Sequence, residues 1–290
     1  MICAQQITSI ACFCTLICFI SPSKKACPHS TVNNFCKNTQ RESMNNQTNN
    51  QKNISIFHAH DKNNKPVMLE AFATTMFAPE FSCFMKTAWE VARPAYIPIE
   101  LDFLRAYPDV IHSDPYFKPF ETLFSNGLEQ VDWKIAQEKM GEQLKSHFIF
   151  DIATWPQEVI QKFAQDICYV VSVKDPETHK LLGFITFLAR QNYPVGTVKV
   201  MTFALDPLYQ NRGLGKILMS SIFKIAPEIQ RIFLCTRVTN SNALRAYRNW
   251  GFIDDKNPIL DHAFNLNHWM FLEYKTEQSN ILQKTAKLIE

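Results

Sequence analysis

The sequence predicts a mixed α/β domain: a mostly antiparallel central sheet flanked by helices, with a helical N-terminal extension. Three observations lead there. Runs rich in β-branched and aromatic residues at 168–173, 181–188 and 197–205 follow one another with only turn chemistry between them. A helix pattern, a strand at 232–238 and a second helix pattern come next, and an apolar run at 268–272 supplies a closing strand.

Size and charge set the frame for these elements. A chain of 290 residues can bury a sizeable core, and nothing in its composition demands more than one domain. Against 27 Asp+Glu, 30 Lys+Arg leave a net charge of +3, too little for the basic footprint of a dedicated nucleic-acid protein, so no specific nucleic-acid binding is expected. Six of the nine cysteines (Cys3, Cys12, Cys14, Cys18, Cys27 and Cys36) precede residue 40. Cys83, Cys168 and Cys235 are far apart in apolar surroundings, so the folded part reads as reduced and cytoplasmic. No C-x-x-C pair is present and no metal site is expected.

Residues 1–65 read as a leader followed by a spacer. The apolar run 7–20 has the length of a signal-peptide core, but its nearest positive charges, Lys24 and Lys25, follow it rather than precede it. An extension without its own fold, or a start at Met44 or Met68, is favoured over a targeting segment. From 33 to 64, Asn, Gln, Thr and Lys dominate, and such a stretch buries too little apolar surface to offset chain entropy, which predicts disorder.

Residues 66–146 form a mainly helical part. A short strand is expected at 67–72, and Phe81, Phe84, Met85, Ala88, Trp89 and Ala92 mark one face of an amphipathic helix. Pro94, Pro98, Pro108, Pro115 and Pro119 then predict short helices and turns, because each removes a donor and biases the preceding residue away from helix. A helical pattern resumes at 131–147. The rings of Tyr96, Phe103, Tyr107, Tyr116, Phe117, Phe120, Phe124 and Trp133 are expected to pack this part on the sheet rather than to line a groove. His112 and His147 are isolated and read as ordinary histidines.

The core expected at 147–275 begins with a strand at 148–152 and a helix at 156–165 opened by Pro156. The three strands named above follow, the third ending at Asp206 and Pro207. Gln210, Asn211, Arg212, Gly213, Leu214, Gly215 and Lys216 then join it to a helix whose apolar face includes Leu214, Ile217, Leu218, Ser221, Ile222 and Ile225. Two of the seven glycines in the whole chain stand at this junction. They let the backbone approach a ligand, the unpaired amides of the first helical turn suit a pyrophosphate, and Arg212 and Lys216 add positive charge. Neither three glycines in the dinucleotide-binding spacing nor a G-x-x-x-x-G-K-[ST] loop occurs. After the strand 232–238, Asn240 is placed to cap a helix carrying Ala243, Ala246, Tyr247 and Trp250 on one side, with Gly251 as its left-handed end. Residues 276–290 read as a C-terminal tail.

The pattern of Phe203, Ala204, Leu205, Asp206 and Pro207, then Gln210 to Lys216, then Asn240, Ala243, Tyr247, Gly251 and Phe252, resembles the GCN5-related N-acetyltransferases (GNAT), nearest to the branch that acetylates the N-terminal alanine of ribosomal proteins. The match is specific over residues 195–255. The resemblance implies that the amides around Asn211 to Lys216, with Gln210, hold the pyrophosphate of acetyl-CoA. It likewise implies that the main chain of Phe203, Ala204 and Leu205 pairs with the pantetheine arm, that Asn240 and Ala243 contact the co-substrate, and that Tyr247 is the acid for the departing thiolate. The implied reaction is acetyl transfer to a primary amine by direct attack. A protein N-terminus, a lysine and a small amine stand as acceptors. Where the alanine-acetylating branch has a glutamate base, five residues before the Asn, this chain has Cys235, which reads as a small buried hydrophobe. Asp151, Asp166, Asp206, Glu228 and a water chain remain alternatives for the base. A non-catalytic acyl-CoA-binding module and a secreted effector acetyltransferase are the rival readings.

Overall fold

The computed structural model describes residues 54–114, 116–148, 166–190, 193–258 and 268–290, with the His147 side chain excepted. The apolar run 7–20, the strand expected at 148–152 beyond its first residue, and the helix expected at 156–165 lie outside the described residues.

Eight strands form one sheet in the order β1-β2-β3-β4-β5-β6-β8-β7. The strands are β1 (Ser55–His60), β2 (Pro66–Thr75), β3 (Ile167–Lys174), β4 (Leu181–Ala189), β5 (Thr197–Leu205), β6 (Arg231–Arg237), β7 (Ile253–Asp254) and β8 (Trp269–Lys275). Every neighbouring pair is antiparallel except β5 and β6. The helices are α1 (Pro79–Ala106), α2 (Val110–Ser113), α3 (Glu121–Phe124), α4 (Trp133–Phe148), α5 (Leu214–Ile225), α6 (Ser241–Asn249) and α7 (Ile281–Ala286).

Period-two alternation along the strands feeds two cores. On one face Cys168, Val170, Phe184 and Leu188 pack with α1 and α4 through Phe81, Met85, Trp89, Leu104, Met140 and Leu144. On the other, Val171, Val173, Ile185 and Phe187 pack with α5 through Leu218, Met219 and Ile222. Each such aliphatic or aromatic side chain, fully buried, contributes roughly 1.5–3 kcal/mol relative to exposure.

Three boundaries differ from expectation. The expected spacer already contains β1, which pairs along β2 from Ser55↔Ala71 to His60↔Pro66. That composition is polar, but a strand on a sheet edge needs only a few inward side chains, here Ala59 at 4% exposure. The expected tail carries α7, whose Leu282 and Ala286 are buried in the second core, and Glu290 exchanges backbone hydrogen bonds with His58 at 2.8 Å. Most consequentially, α1 runs unbroken through Pro94 and Pro98. Both prolines are exposed, so carbonyls freed one turn back can be hydrated, while Ala92, Ile97, Leu101 and Leu104 hold the opposite face in the core.

Two irregularities in the sheet make the site. Between β4 and β5 the register passes from Thr186↔Thr202 to Phe187↔Val200, so Met201 is an extra residue on β5. The parallel pairing of β5 with β6 extends only from Thr197↔Arg231 to Lys199↔Phe233. Beyond Lys199 the two strands part, leaving their facing backbone edges without each other.

Candidate active site

The parting of β5 and β6 opens a cavity of about 640 Å³, with α1 at one side and the start of α5 and α6 at the other. Of the residues the sequence singled out, Phe203, Ala204, Leu205, Gln210, Asn211, Gly213, Gly215, Lys216, Asn240, Ala243 and Tyr247 all line it. Arg212 and Leu214 do not. Leu214 turns into the second core. The Arg212 guanidinium lies over the Tyr209 ring and meets the Asp61 carboxylate at 2.6 Å.

The mouth of the cavity is built by backbone geometry. Asn211 and Gly213 have φ of 61° and 81°, so the chain makes two left-handed steps before α5 begins. Asn tolerates this region, and Gly adopts it without a Cβ penalty. Gly215 is tightly placed for a different reason, since a Cβ there would stand 3.1 Å from Trp250 Cη2 and 3.3 Å from Phe203 Cζ, and both rings would have to shift. Gly215 and Lys216 bring the first turn of α5, with its partial positive charge, to the cavity wall.

The β1–β2 turn completes the mouth, which sequence reasoning missed. Lys62 lines the cavity, and its amide donates to the Arg212 carbonyl at 3.0 Å. Asp61 next to it is buried. Burial pushes its carboxyl up, but the Lys65 amide, the Arg212 guanidinium and the Asn63 amide outweigh that and hold it below its ordinary value.

At the inner end, the Asn240 side chain caps α6 by accepting from the Ala243 amide at 3.3 Å and donates to Thr236 Oγ1 at 3.0 Å. That cap aims α6 so that Tyr247 enters the cavity between Phe203, Trp250 and Phe252, with ring centroids 6.3, 5.6 and 5.7 Å away. Burial, with Tyr96 and Cys235 nearby, holds the Tyr247 phenol well above its ordinary value. It is therefore a protonated donor throughout the neutral range.

The α1 wall brings groups the sequence did not single out for chemistry. The Tyr96 hydroxyl donates to the Phe203 carbonyl at 3.1 Å and accepts from the Phe203 amide at 3.2 Å. Burial raises this phenol to about 12, partly offset by the Phe203 backbone and reinforced by Cys235 and Glu100. One turn later Glu100, 5% exposed, accepts from Arg237 Nε at 3.0 Å and Nη2 at 2.9 Å. The Arg237 guanidinium lies between the rings of Phe103 and Trp269, at 4.0 and 4.1 Å. The usable signal was the i, i+4 spacing of Tyr96 and Glu100, which places both on one face of a helix only if the helix survives its prolines.

The carboxylates named from sequence stand elsewhere. Asp166 is paired with Arg190 at 2.9 Å. Asp206 caps the turn after β5 and meets Lys180 at 3.0 Å. Glu228 is exposed at a second cavity beside Pro227. Asp151 lies outside the described residues. Cys235 lines the site and is in no disulfide. Among the described residues, no group of three or more His, Cys, Asp and Glu could hold a metal ion, and no helix is long and apolar enough to cross a membrane.

Residues 135–252 match the model of the Acetyltransferase (GNAT) family. An uncharacterized protein of Mycobacterium leprae is 30% identical over 112 residues, covering 38% of this chain and 30% of that protein. The chain thus spans less than a third of the length of the curated relative it matches. Among solved structures, the ribosomal-protein-S18-alanine N-acetyltransferase of Escherichia coli is 16% identical, with 37% of this chain and 67% of that one covered and a TM-score of 0.29. The PaiA N-acetyltransferase of Thermoplasma acidophilum, solved with coenzyme A, is 16% identical, with 71% and 98% covered and a TM-score of 0.36.

Proposed function

We propose that this protein transfers an acetyl group from acetyl-CoA to a primary amine by direct attack, with no covalent enzyme intermediate. The observation that carries the reading is the single cavity wall that joins the left-handed turn at Asn211 and Gly213, the edge of β5 at Phe203 and Leu205 that β6 leaves unpaired, and the Tyr247 phenol. The amides from Asn211 to Lys216, with Lys62 and Lys216, suit the pyrophosphate. The edge of β5 suits the amide-bearing arm, which would pair with it as a strand does. Tyr247 is the proton donor to the departing sulfur.

The acceptor is a protein N-terminus, a lysine or a small-molecule amine. It would approach from the side of Glu100, Arg237 and Trp269, opposite the mouth. Mass spectrometry of candidate acceptors after incubation with isotope-labelled acetyl-CoA tests the proposal. A mass increase of one labelled acetyl group on an amine supports it.

A non-catalytic acyl-CoA-binding module is the second reading, favoured by one observation: the carboxylate on the cavity wall, Glu100, is already held by Arg237. Acetyl-CoA binding without thiol release under every amine tried would establish that reading and sink the enzymatic one.

A further inference from the structure

Acyl transfer places negative charge on the thioester oxygen, and the donors aimed at that oxygen set much of the rate. On β5 the Phe203 amide and carbonyl face the splay, since it is Ala204 and Asp206 whose neighbourhood is tied to β4, the latter by its amide to the Leu182 carbonyl at 2.9 Å. Pairing with β6 has already ended at Lys199. The Phe203 amide is nevertheless engaged, at 3.2 Å, by the Tyr96 hydroxyl, which reaches it from α1.

An oxygen that takes the Phe203 amide must arrive within hydrogen-bond reach of that hydroxyl. The Tyr96 proton, now given to the Phe203 carbonyl at 3.1 Å, needs only a rotation about the C–O bond to point at it. We propose that Tyr96 is a catalytic residue whose O–H, with the Phe203 N–H, forms the oxyanion hole for the acyl group. This rests on the acetyl-transfer reading given above.

The chemistry balances without any further reactant. The amine lone pair forms the C–N bond as the carbonyl π pair moves onto oxygen, where the two donors hold it. The pair returns, the C–S bond breaks, and its electrons leave on sulfur. The nitrogen releases one proton to solvent and the sulfur gains one from Tyr247, which takes one back from solvent, so the products are an amide and the free CoA thiol. Two features preorganise the donor. Glu100, one helical turn on, ties α1 to β6 through Arg237, and burial keeps the phenol protonated.

The test is made on the full chain, with acetyl-CoA and the amine that gives the fastest thiol release. For Tyr96→Phe the expected result is a kcat lower by about 10²–10³-fold with an acetyl-CoA dissociation constant within about threefold of wild type, the signature of a donor used only in the transition state. A merely structural tie between α1 and β5 would lower stability and leave kcat near wild type. A plug that acetyl-CoA must displace would give tighter binding with unchanged kcat. Either result overturns the proposal. Should Tyr96→Phe fail to fold, fluorotyrosines at position 96 keep the ring and vary the acidity of its hydroxyl. A kcat that tracks acidity supports the proposal, and a kcat indifferent to it overturns it. Turnover by wild type and variant alike removes this inference alone, whereas a wild-type chain that does not bind acetyl-CoA removes the transferase reading and the inference with it.

Discussion

Buried Tyr247 and half-buried Tyr96 line one cavity, and the two phenols are proposed to serve different atoms of one reaction. Tyr247→Phe is expected to lower kcat by about 10²-fold through loss of a proton donor, while acetyl-CoA affinity stays nearly unchanged. Steady-state kinetics alongside calorimetry reads both quantities, and unchanged turnover would remove Tyr247 from its role. A thioester of a more acidic thiol leaves without needing a proton, so it should rescue Tyr247→Phe and leave Tyr96→Phe impaired. The pH dependence has a definite sign. Both phenols are raised from 10.0 because the fold favours their neutral form. That contribution is fully present below 10.0 and is lost only as pH rises through the higher folded values. A kcat profile measured from about pH 6 to about pH 10 should therefore show no falling limb from either group, and one that vanished in Tyr247→Phe would contradict the upward shift of that phenol while leaving it the acid. At the mouth, Gly213→Asp should abolish acetyl-CoA binding. The position is roomy, its nearest neighbour being Lys62 Cβ at 3.6 Å, so the damage comes from the φ of 81° and from negative charge set against a pyrophosphate.

At the scale of elements, what the sequence shows and what it hides divide along a physical line. Strands β3, β4 and β5 and helices α5 and α6 are legible because period-two and period-3.6 patterns, a capping Asn240 and two glycines act locally, within one turn or one strand. The expected acetyl-CoA residues collect on one cavity wall for the same reason. The long α1 is not legible, since Pro94 and Pro98 are local breakers and only burial of Ala92, Ile97, Leu101 and Leu104 against the sheet overrides them. Glu100 and Arg237 went unseen with it, Tyr96 was expected only to pack, and the second role of Arg212 was hidden because its partner Asp61 is 151 residues away. The Glu100–Arg237 pair is what fastens α1 to β6. Its geometry is bidentate and both side chains are below 10% exposure, at 7% and 2%. Glu100→Ala leaves the Arg237 charge buried without this acceptor and should cost about 3–5 kcal/mol, read as a lower urea midpoint at unchanged slope. A loss under about 1 kcal/mol would place the pair among the weak surface type.

For the whole molecule, the proposed co-substrate site is closed by a hairpin far from it in sequence. Lys62 reaches the cavity, its amide fixes the Arg212 carbonyl, and the Asp61 carboxylate accepts from Arg212 as well as from the Asn63 and Lys65 amides. The left-handed turn at Asn211 and Gly213 is thus clamped from outside, and the amides proposed to take a pyrophosphate would be ordered before it arrives, which would lower the entropic cost of binding. The same hairpin meets the other end of the chain, where Glu290 pairs with His58. A chain reduced to residues 54–290 keeps all of this. One reduced to 68–290 loses β1, Lys62 and Asp61, and should bind acetyl-CoA at least about tenfold more weakly, a difference of about 1.4 kcal/mol. Asp61→Ala in the full chain separates the clamp from the strand. It leaves β1 and Lys62 in place, and it should weaken binding while the far-ultraviolet circular dichroism stays as in wild type. Calorimetric titration of the three proteins with acetyl-CoA decides the matter, because equal affinity for 54–290 and 68–290 would mean that the turn orders itself and the hairpin only covers it.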